Sequence, residues 1–155
     1  MTLKHTKGNL LDLAEAGEFD IVVQGCNCFC RMGSGIAKEI RARYPMAWNV
    51  DMLTNEGDIK KLGTWTDADA GKFRIINAYT QFATATKPGE DVFEYTAFEL
   101  ILQKLAYEYS GKRIGLPYIG MGLAGGDKEV ILDMIAEFAN NVSKTGGSVT
   151  LVEFG

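Results

Sequence analysis

Two short glycine loops, Gly33-Ser34-Gly35 and Gly120-Met121-Gly122, constrain what this chain can fold into. Each loop follows an apolar run typical of a β-strand and precedes a segment with the apolar spacing of an amphipathic helix. A glycine-rich turn exposes backbone N–H groups, and the N-terminus of the following helix carries partial positive charge, so each loop suits a phosphate group. Two such loops therefore predict one ligand that carries two phosphates.

The segments around the loops alternate between strand and helix patterns. The continuous apolar run Ile21-Val22-Val23 is typical of a strand covered by helices on both faces. Pro45 is expected to end the helix after the first loop, and the turn-rich segment 67–71 predicts a hairpin. The predicted order is strand 3–6, short helix 10–14, strand 19–24, helix 36–44, helix 46–56, strands 62–66 and 73–79, loop 80–91, helix 92–109, strand 113–119, helix 130–138 and strand 149–154.

This alternation predicts an α/β fold with helices on both faces of a mixed sheet. In open sheets of this kind, ligands bind beyond the carboxyl ends of the strands. Both glycine loops lie at such ends, and the long loop 80–91 is a natural rim for a site there.

Composition and charge exclude several classes of protein. Hydrophobic residues make up 46% of the 155 residues and charged residues 23%, which is globular composition and predicts one domain over residues 1–155. The net charge is −4 and the basic residues are scattered, so no binding of long nucleic acid is expected. The start lacks an apolar signal segment, and no apolar run approaches the ~20 residues of a transmembrane helix. We therefore expect a cytoplasmic monomer that does not bind membranes.

The three cysteines lie together in Cys26-Asn27-Cys28-Phe29-Cys30, too close in sequence for a disulfide framework. No second cysteine pair is present and His5 is the only histidine, so we expect no metal and no cofactor. In an extended segment, Cys26 and Cys28 point to one face and Asn27 to the other. The pattern predicts an apolar anchor on one side and an available amide on the other.

Three common catalytic or nucleotide-binding motifs do not match. The run Gly33-Ser34-Gly35-Ile36-Ala37-Lys38 has lysine where a dinucleotide fingerprint needs its third glycine. The Gly-Lys pairs at 71–72 and 111–112 lack the Ser or Thr of a P-loop. The first glycine loop also has the wrong spacing for a nucleophile elbow.

Three motifs together resemble one family, the macro domain. They are Lys7-Gly8-Asn9-Leu10, the run GCNCFCRMGSGIAKEIRARYP from Gly25 to Pro45, and LPYIGMGLAGG from Leu116 to Gly126. In motif the chain is most similar to the yeast ADP-ribose 1''-phosphate phosphatase and the terminal ADP-ribose protein glycohydrolase subgroup. The resemblance implies a three-layer α/β/α fold with a mixed, mostly parallel central sheet, which binds ADP-ribose or a derivative between two diphosphate loops.

The resemblance also implies roles for individual residues. Asn9 and the backbone of Leu10 would face the adenine, and Phe154 would lie against its ring, while Asn27 would bond hydroxyls of the distal ribose. The first diphosphate loop would consist of Gly33, Ser34, Gly35 and Ile36, and the second of Ile119, Gly120, Met121, Gly122 and Leu123. Read from the residues alone, the alternatives are that the glycines are turn residues, Asn27 a turn cap and Phe154 part of the core.

Catalysis is where the chain departs from the family. Gln81 and Ala124 stand where the glycohydrolase pattern has lysine and aspartate, and Met32 and Gln24 stand where other active members have histidine. Asp127 follows the second loop and could activate water, and Asn27 with the loop amides could order water near the distal ribose. Asp127 also opens a helix, where aspartate is a favoured cap. The favoured hypothesis is hydrolysis of the phosphate of ADP-ribose 1''-phosphate. The alternatives are a reader of free or protein-linked ADP-ribose and a hydrolase that removes ADP-ribose or acyl groups.

Overall fold

A six-stranded sheet forms the centre of the protein in the computed structural model, which describes residues 2–85, 87, 90–122 and 124–155. The strands are β1 (Leu3–Gly8), β2 (Ile21–Asn27), β3 (Trp65–Asp69), β4 (Arg74–Gln81), β5 (Arg113–Leu116) and β6 (Ser148–Phe154). Their order across the sheet is β1-β6-β5-β2-β4-β3. All neighbouring pairs are parallel except β3 with β4, which form an antiparallel hairpin at one edge.

Helices cover both faces of this sheet. They are α1 (Leu10–Glu15), α2 (Gly35–Arg43), α3 (Pro45–Met52), α4 (Tyr95–Glu108) and α5 (Lys128–Ser143), with a short 3-10 turn at Ile59–Lys61. Apolar residues of α4 and α5 pack on one face with Ile21 and Val23 of β2, and residues of α1, α2 and α3 pack on the other with Val22. The continuous apolar run of β2 is thus buried on both sides, which confirms the predicted three-layer α/β/α fold.

Most predicted elements are present, and Pro45 ends α2 as expected. The proline also supplies the first residue of α3, because its fixed φ suits a helix start and the missing N–H has no partner there. The helix predicted for 46–56 is too long, since α3 ends at Met52. The strand predicted for 113–119 is too long as well, because β5 ends at Leu116 and Pro117 follows.

The first strand of the predicted hairpin is displaced. It spans Trp65–Asp69 rather than 62–66, so part of the predicted turn at 67–71 belongs to the strand. Gly63 explains the shift, because it has a φ of +80° and its N–H donates to the carbonyl of Tyr79, which makes a sharp bend where extended backbone was expected. The hairpin itself is confirmed.

A polar network is buried between β4 and the helices of the α1–α3 face. The Tyr79 hydroxyl donates to Oδ1 of Asp51 over 2.7 Å, and Gln24 and Asn77 are hydrogen-bonded to each other through their side-chain amides. Burial raises the pKa of the Asp51 carboxyl, while the hydrogen bond from Tyr79 and the charge of Lys61 act in the opposite direction. Burial likewise raises the pKa of Tyr79. Asp51 is therefore more easily protonated in the folded chain than in the unfolded one.

The raised pKa of Asp51 predicts how stability depends on pH. Between the unfolded value of 3.8 and the higher folded value, the folded state binds more protons than the unfolded state, so stability falls as the pH rises through this window. Asp51→Asn keeps an acceptor for Tyr79 and cannot ionise. We therefore expect the free energy of unfolding of Asp51→Asn, relative to wild type, to increase with pH across the window and then level off.

Urea titrations at a series of pH values measure this difference. Asp133→Asn, on an exposed position of α5, is the matched control. If the free energy of unfolding relative to wild type follows the same pH profile in both variants, the pH dependence does not come from the raised pKa of Asp51.

Candidate functional site

One cleft of about 950 Å³ opens at the carboxyl ends of β2, β4 and β5. Both glycine loops follow these strands and line the cleft from two sides. Its lining residues are Gly25, Cys26, Asn27, Arg31, Gly33, Ser34, Gly35, Ile36, Ala37, Thr80, Gln81, Thr84, Ala85, Lys87, Pro117, Tyr118, Ile119, Gly120, Gly122 and Ala124. The volume lies in the range typical of small-molecule sites.

The first loop leads directly into helix α2. Gly33, Ser34, Gly35 and Ile36 all line the cleft, as the sequence predicted for a single loop. Ser34 is the N-cap residue of α2, yet its side chain makes no capping hydrogen bond. Ser34 thus leaves the first amides of α2 uncapped at the edge of the cleft, where an anion could accept from them.

The second loop is held more tightly than the first. Ile119, Gly120 and Gly122 line the cleft, Met121 does not, and Leu123 lies outside the described residues. Gly120 has a φ of +77°, its carbonyl accepts from the N–H of Gly126 over 2.7 Å, and a Cβ added there would lie 2.5 Å from the ring of Phe93. Only glycine therefore fits at position 120 without strain, whatever ligand the loop meets.

Asn27 lies at the end of β2 and lines the cleft, but its amide is not free. Its Oδ1 accepts from the N–H of Phe29 over 2.9 Å, and its Nδ2 donates to the carbonyl of Arg31 over 2.9 Å. These bonds shape the turn that follows β2. The available amide predicted from the sequence is thus engaged in a turn-capping role, while its position beside the cleft agrees with the prediction.

The cysteines of the same segment are anchors. Cys26 and Cys28 are buried in one cluster with Met32 and Tyr79, which matches the predicted common face. Burial raises the pKa of both thiols, so they stay protonated at neutral pH and are poor nucleophiles and poor metal ligands. Among the described residues, no group of three or more His, Cys, Asp or Glu side chains could hold a metal ion.

Three residues predicted for the adenine end lie outside the cleft lining. Asn9 caps α1, because its Oδ1 accepts from the N–H of Asp12 over 3.0 Å, and its Nδ2 donates to Glu39. Leu10 is buried in the core. Phe154 is 82% exposed and pairs with Gly8 at the ends of β6 and β1. The fold thus brings Asn9 and Phe154 close together at the neighbouring strand ends, and their contact with adenine stays a prediction.

Asp127 is the N-cap of α5 and is not among the lining residues. Its Oδ1 accepts from the N–H groups of Glu129 and Val130 over 3.0 and 3.2 Å, and its own N–H donates to the hydroxyl of Tyr95. The capping alternative is therefore realised. A catalytic role for the same carboxylate stays a prediction.

The charges around the cleft were missed by sequence reasoning. Arg31 and Lys87 line it, and none of its described lining residues is Asp or Glu. The whole chain, by contrast, has 20 acidic and 16 basic residues. Arg31 stands two residues before the first glycine loop, so its position was a usable signal, whereas Lys87 comes from the long loop whose path the sequence does not specify.

No protein-family model matches the chain. The Mycobacterium tuberculosis DarG macrodomain is similar in structure, with a TM-score of 0.76 and 18% identity over 97% of this chain and 96% of that one. A Trypanosoma brucei macrodomain, solved in complex with ADP-ribose, has a TM-score of 0.69 and 12% identity over 99% of this chain and 63% of that one. These likenesses show that the chain has the macrodomain fold.

A relative in sequence is a 17.5 kDa uncharacterized protein from the tk-vs intergenic region of Enterobacteria phage T4. The two are 30% identical over 151 residues, which cover 92% of this chain and 93% of the phage protein. Similarity of this extent over nearly the full length of both proteins reflects common ancestry. The chain therefore belongs to the family of this phage T4 protein, and it has a macrodomain fold.

Proposed function

We infer that the cleft binds ADP-ribose or an ADP-ribose derivative. The observation that carries this proposal is the composition of the cleft: two glycine loops and two cations line it, and its described lining residues include no carboxylate, although the chain is acidic overall. Such a surface favours a ligand with two adjacent phosphates, because loop amides and Arg31 can donate hydrogen bonds to the negatively charged phosphate oxygens.

The bound state of a protein with the same fold supports this choice of ligand. The Trypanosoma brucei macrodomain is solved in complex with ADP-ribose. In the proposed complex the first loop, with the amides at the start of α2 that Ser34 leaves uncapped, takes one side of the diphosphate, and the second loop takes the other. The adenine then extends toward Asn9 and Phe154, and the distal ribose lies toward Asn27.

Gly33 offers the sharpest test of ADP-ribose binding. A Cβ added at Gly33 meets nothing within 4 Å, and its φ lies outside the left-handed region, so a side chain there points into open space without strain. Gly33→Glu places a carboxylate beside the proposed diphosphate. Because like charges brought together cost several kcal/mol, we expect calorimetry to show a loss of ADP-ribose affinity on the order of 100-fold or more.

Gly33→Gln is the matched control, because it has nearly the same size and no charge. It should lose less affinity than Gly33→Glu, and both variants should keep the thermal stability of the wild type. Wild-type protein that does not bind ADP-ribose at millimolar concentration would refute the proposal, and a folded Gly33→Glu that binds normally would refute the placement of the diphosphate. Gly120→Glu is a poorer probe, since its side chain would strike Phe93 before it reached a ligand.

The finer function proposed for this site is hydrolysis of the terminal phosphate of ADP-ribose 1''-phosphate. Arg31 supports it, because this exposed cation lines the cleft within the turn that Asn27 shapes and could hold a phosphate on the distal ribose. The reader that binds ADP-ribose without turnover is the second candidate. It is favoured by the chemistry at two cleft-lining positions, since neither Gln81 nor Ala124 can serve as a nucleophile or an acid.

Two substitutions of Asp127 distinguish a catalytic role from a helix-capping role. Asp127→Ala removes both the carboxylate and the helix cap, whereas Asp127→Ser removes the carboxylate and keeps a capping oxygen. If the carboxylate activates water, both variants should lose release of phosphate from ADP-ribose 1''-phosphate and still bind ADP-ribose.

A purely capping role gives a different pattern. In that case Asp127→Ser should release phosphate at the wild-type rate, and Asp127→Ala should lose about 1 kcal/mol of folding free energy. Phosphate release by wild-type protein is the reference for both variants. If wild-type protein binds ADP-ribose but releases no phosphate, binding without turnover is the function that remains for this cleft.

A further inference from the structure

A lysine side chain is buried behind the first glycine loop, at a place that the proposed binding site does not touch. Lys61 ends the 3-10 turn and is 8% exposed. Lysine is rarely buried to this degree unless its charge has partners, because taking an ammonium group out of water is costly. The partners of Lys61 therefore indicate what its charge does.

The ammonium group has three hydrogen-bond donors and meets three acceptors. Nζ donates to the carbonyl oxygen of Cys28 over 2.9 Å and to Oγ1 of Thr54 over 2.7 Å, and lies 3.6 Å from Sγ of Cys30. Two of these acceptors belong to one short segment, Cys28-Phe29-Cys30, that connects β2 with the first glycine loop. Lys61 forms no ion pair with a carboxylate among the described residues, and its Nζ lies 4.9 Å from the centroid of the Tyr79 ring. Its hydrogen bonds go to this segment and to Thr54.

The segment needs such a tie because its backbone is strained. Cys30 has a φ of +58°, the only positive φ among the described residues other than glycine. A conformation of this kind persists only where its surroundings impose it. The sulfur of Cys30 is also within 3.2 Å of the carbonyl of Asp51, and the carbonyl of Cys28 accepts from the N–H of Gly57.

We propose that Lys61 is a positioning residue, which holds the Cys28–Cys30 segment from behind and thereby sets the first glycine loop in the conformation that receives the diphosphate. This proposal rests on the proposed binding of ADP-ribose. It explains why the position carries a lysine, since methionine would fill the same space without the cost of a buried charge but would bond neither Cys28 nor Thr54.

The test compares Lys61→Met with Lys60→Met in the full chain. Lys60 is the exposed neighbour in the same 3-10 turn, so its substitution removes the same charge and leaves the buried bonds in place. Calorimetry should show about a tenfold lower affinity for ADP-ribose in Lys61→Met. This is the size of effect expected when one charge-assisted hydrogen bond no longer holds the loop in its binding conformation. Lys60→Met should stay within about twofold of the wild type.

Hydrogen exchange of the free protein supplies a second measurement that needs no ligand. The amides of Cys28, Phe29 and Gly57, which are hydrogen-bonded around this segment, should exchange at least about tenfold faster in Lys61→Met than in Lys60→Met. The amide of Ile135, in the buried stripe of α5, should be unchanged. If exchange rises equally at Ile135, the lysine contributes only to global stability and the proposal is overturned.

The two measurements separate failure of this proposal from failure of the proposed function. If wild-type protein does not bind ADP-ribose, the function fails, and local exchange alone decides whether Lys61 holds the segment. If Lys61→Met binds ADP-ribose as well as Lys60→Met does, the positioning role is wrong. Thr54→Val removes one of the three acceptors and replaces Lys61→Met if that variant does not fold, with faster local exchange and weaker binding as the expected result.

Discussion

The parallel pairing of β2 with β4 on one side and β5 on the other is the constraint on which the rest of the site depends. Parallel neighbours end at the same edge of a sheet, so the chain leaves β2 and β5 close together even though these strands are far apart in sequence. Each exit turns into a glycine loop, and one cleft lies between them. Helices on both faces bury most of β2, β4 and β5, and the cleft opens where these strands end.

Charge makes the cleft different from the rest of the molecule. The protein as a whole has an excess of acidic residues and a net charge of −4. Arg31 and Lys87 line the cleft, and its described lining residues carry no acid. Behind the first loop, the buried ammonium of Lys61 adds a third positive charge that is not exposed to solvent. Two glycine loops and two exposed cations thus line the cleft, and one buried cation contacts the segment that follows β2.

Local signals predicted the elements well where one residue decides the outcome. Pro45 separates α2 from α3, and the continuous Ile21-Val22-Val23 run is buried on both faces. Prediction was less accurate where the start or end of an element depends on contacts with residues distant in sequence. The shift of β3 follows from Gly63, whose N–H bonds to Tyr79 on the next strand, and a propensity for extended backbone cannot reveal such a contact.

The same division applies to the candidate site. The sequence determined the two glycine loops, their position after strands and before helices, and the separation of the buried cysteines from Asn27, because these properties depend on residue type and short spacing. Only the tertiary structure decided that the Asn27 amide is engaged by its own turn, that Asp127 caps α5 away from the cleft lining, and that Lys61 is buried behind the first loop. The physical reason is that hydrogen-bond partners and burial depend on chain segments that come into contact only in the folded protein. Local sequence patterns do not show which segments these are.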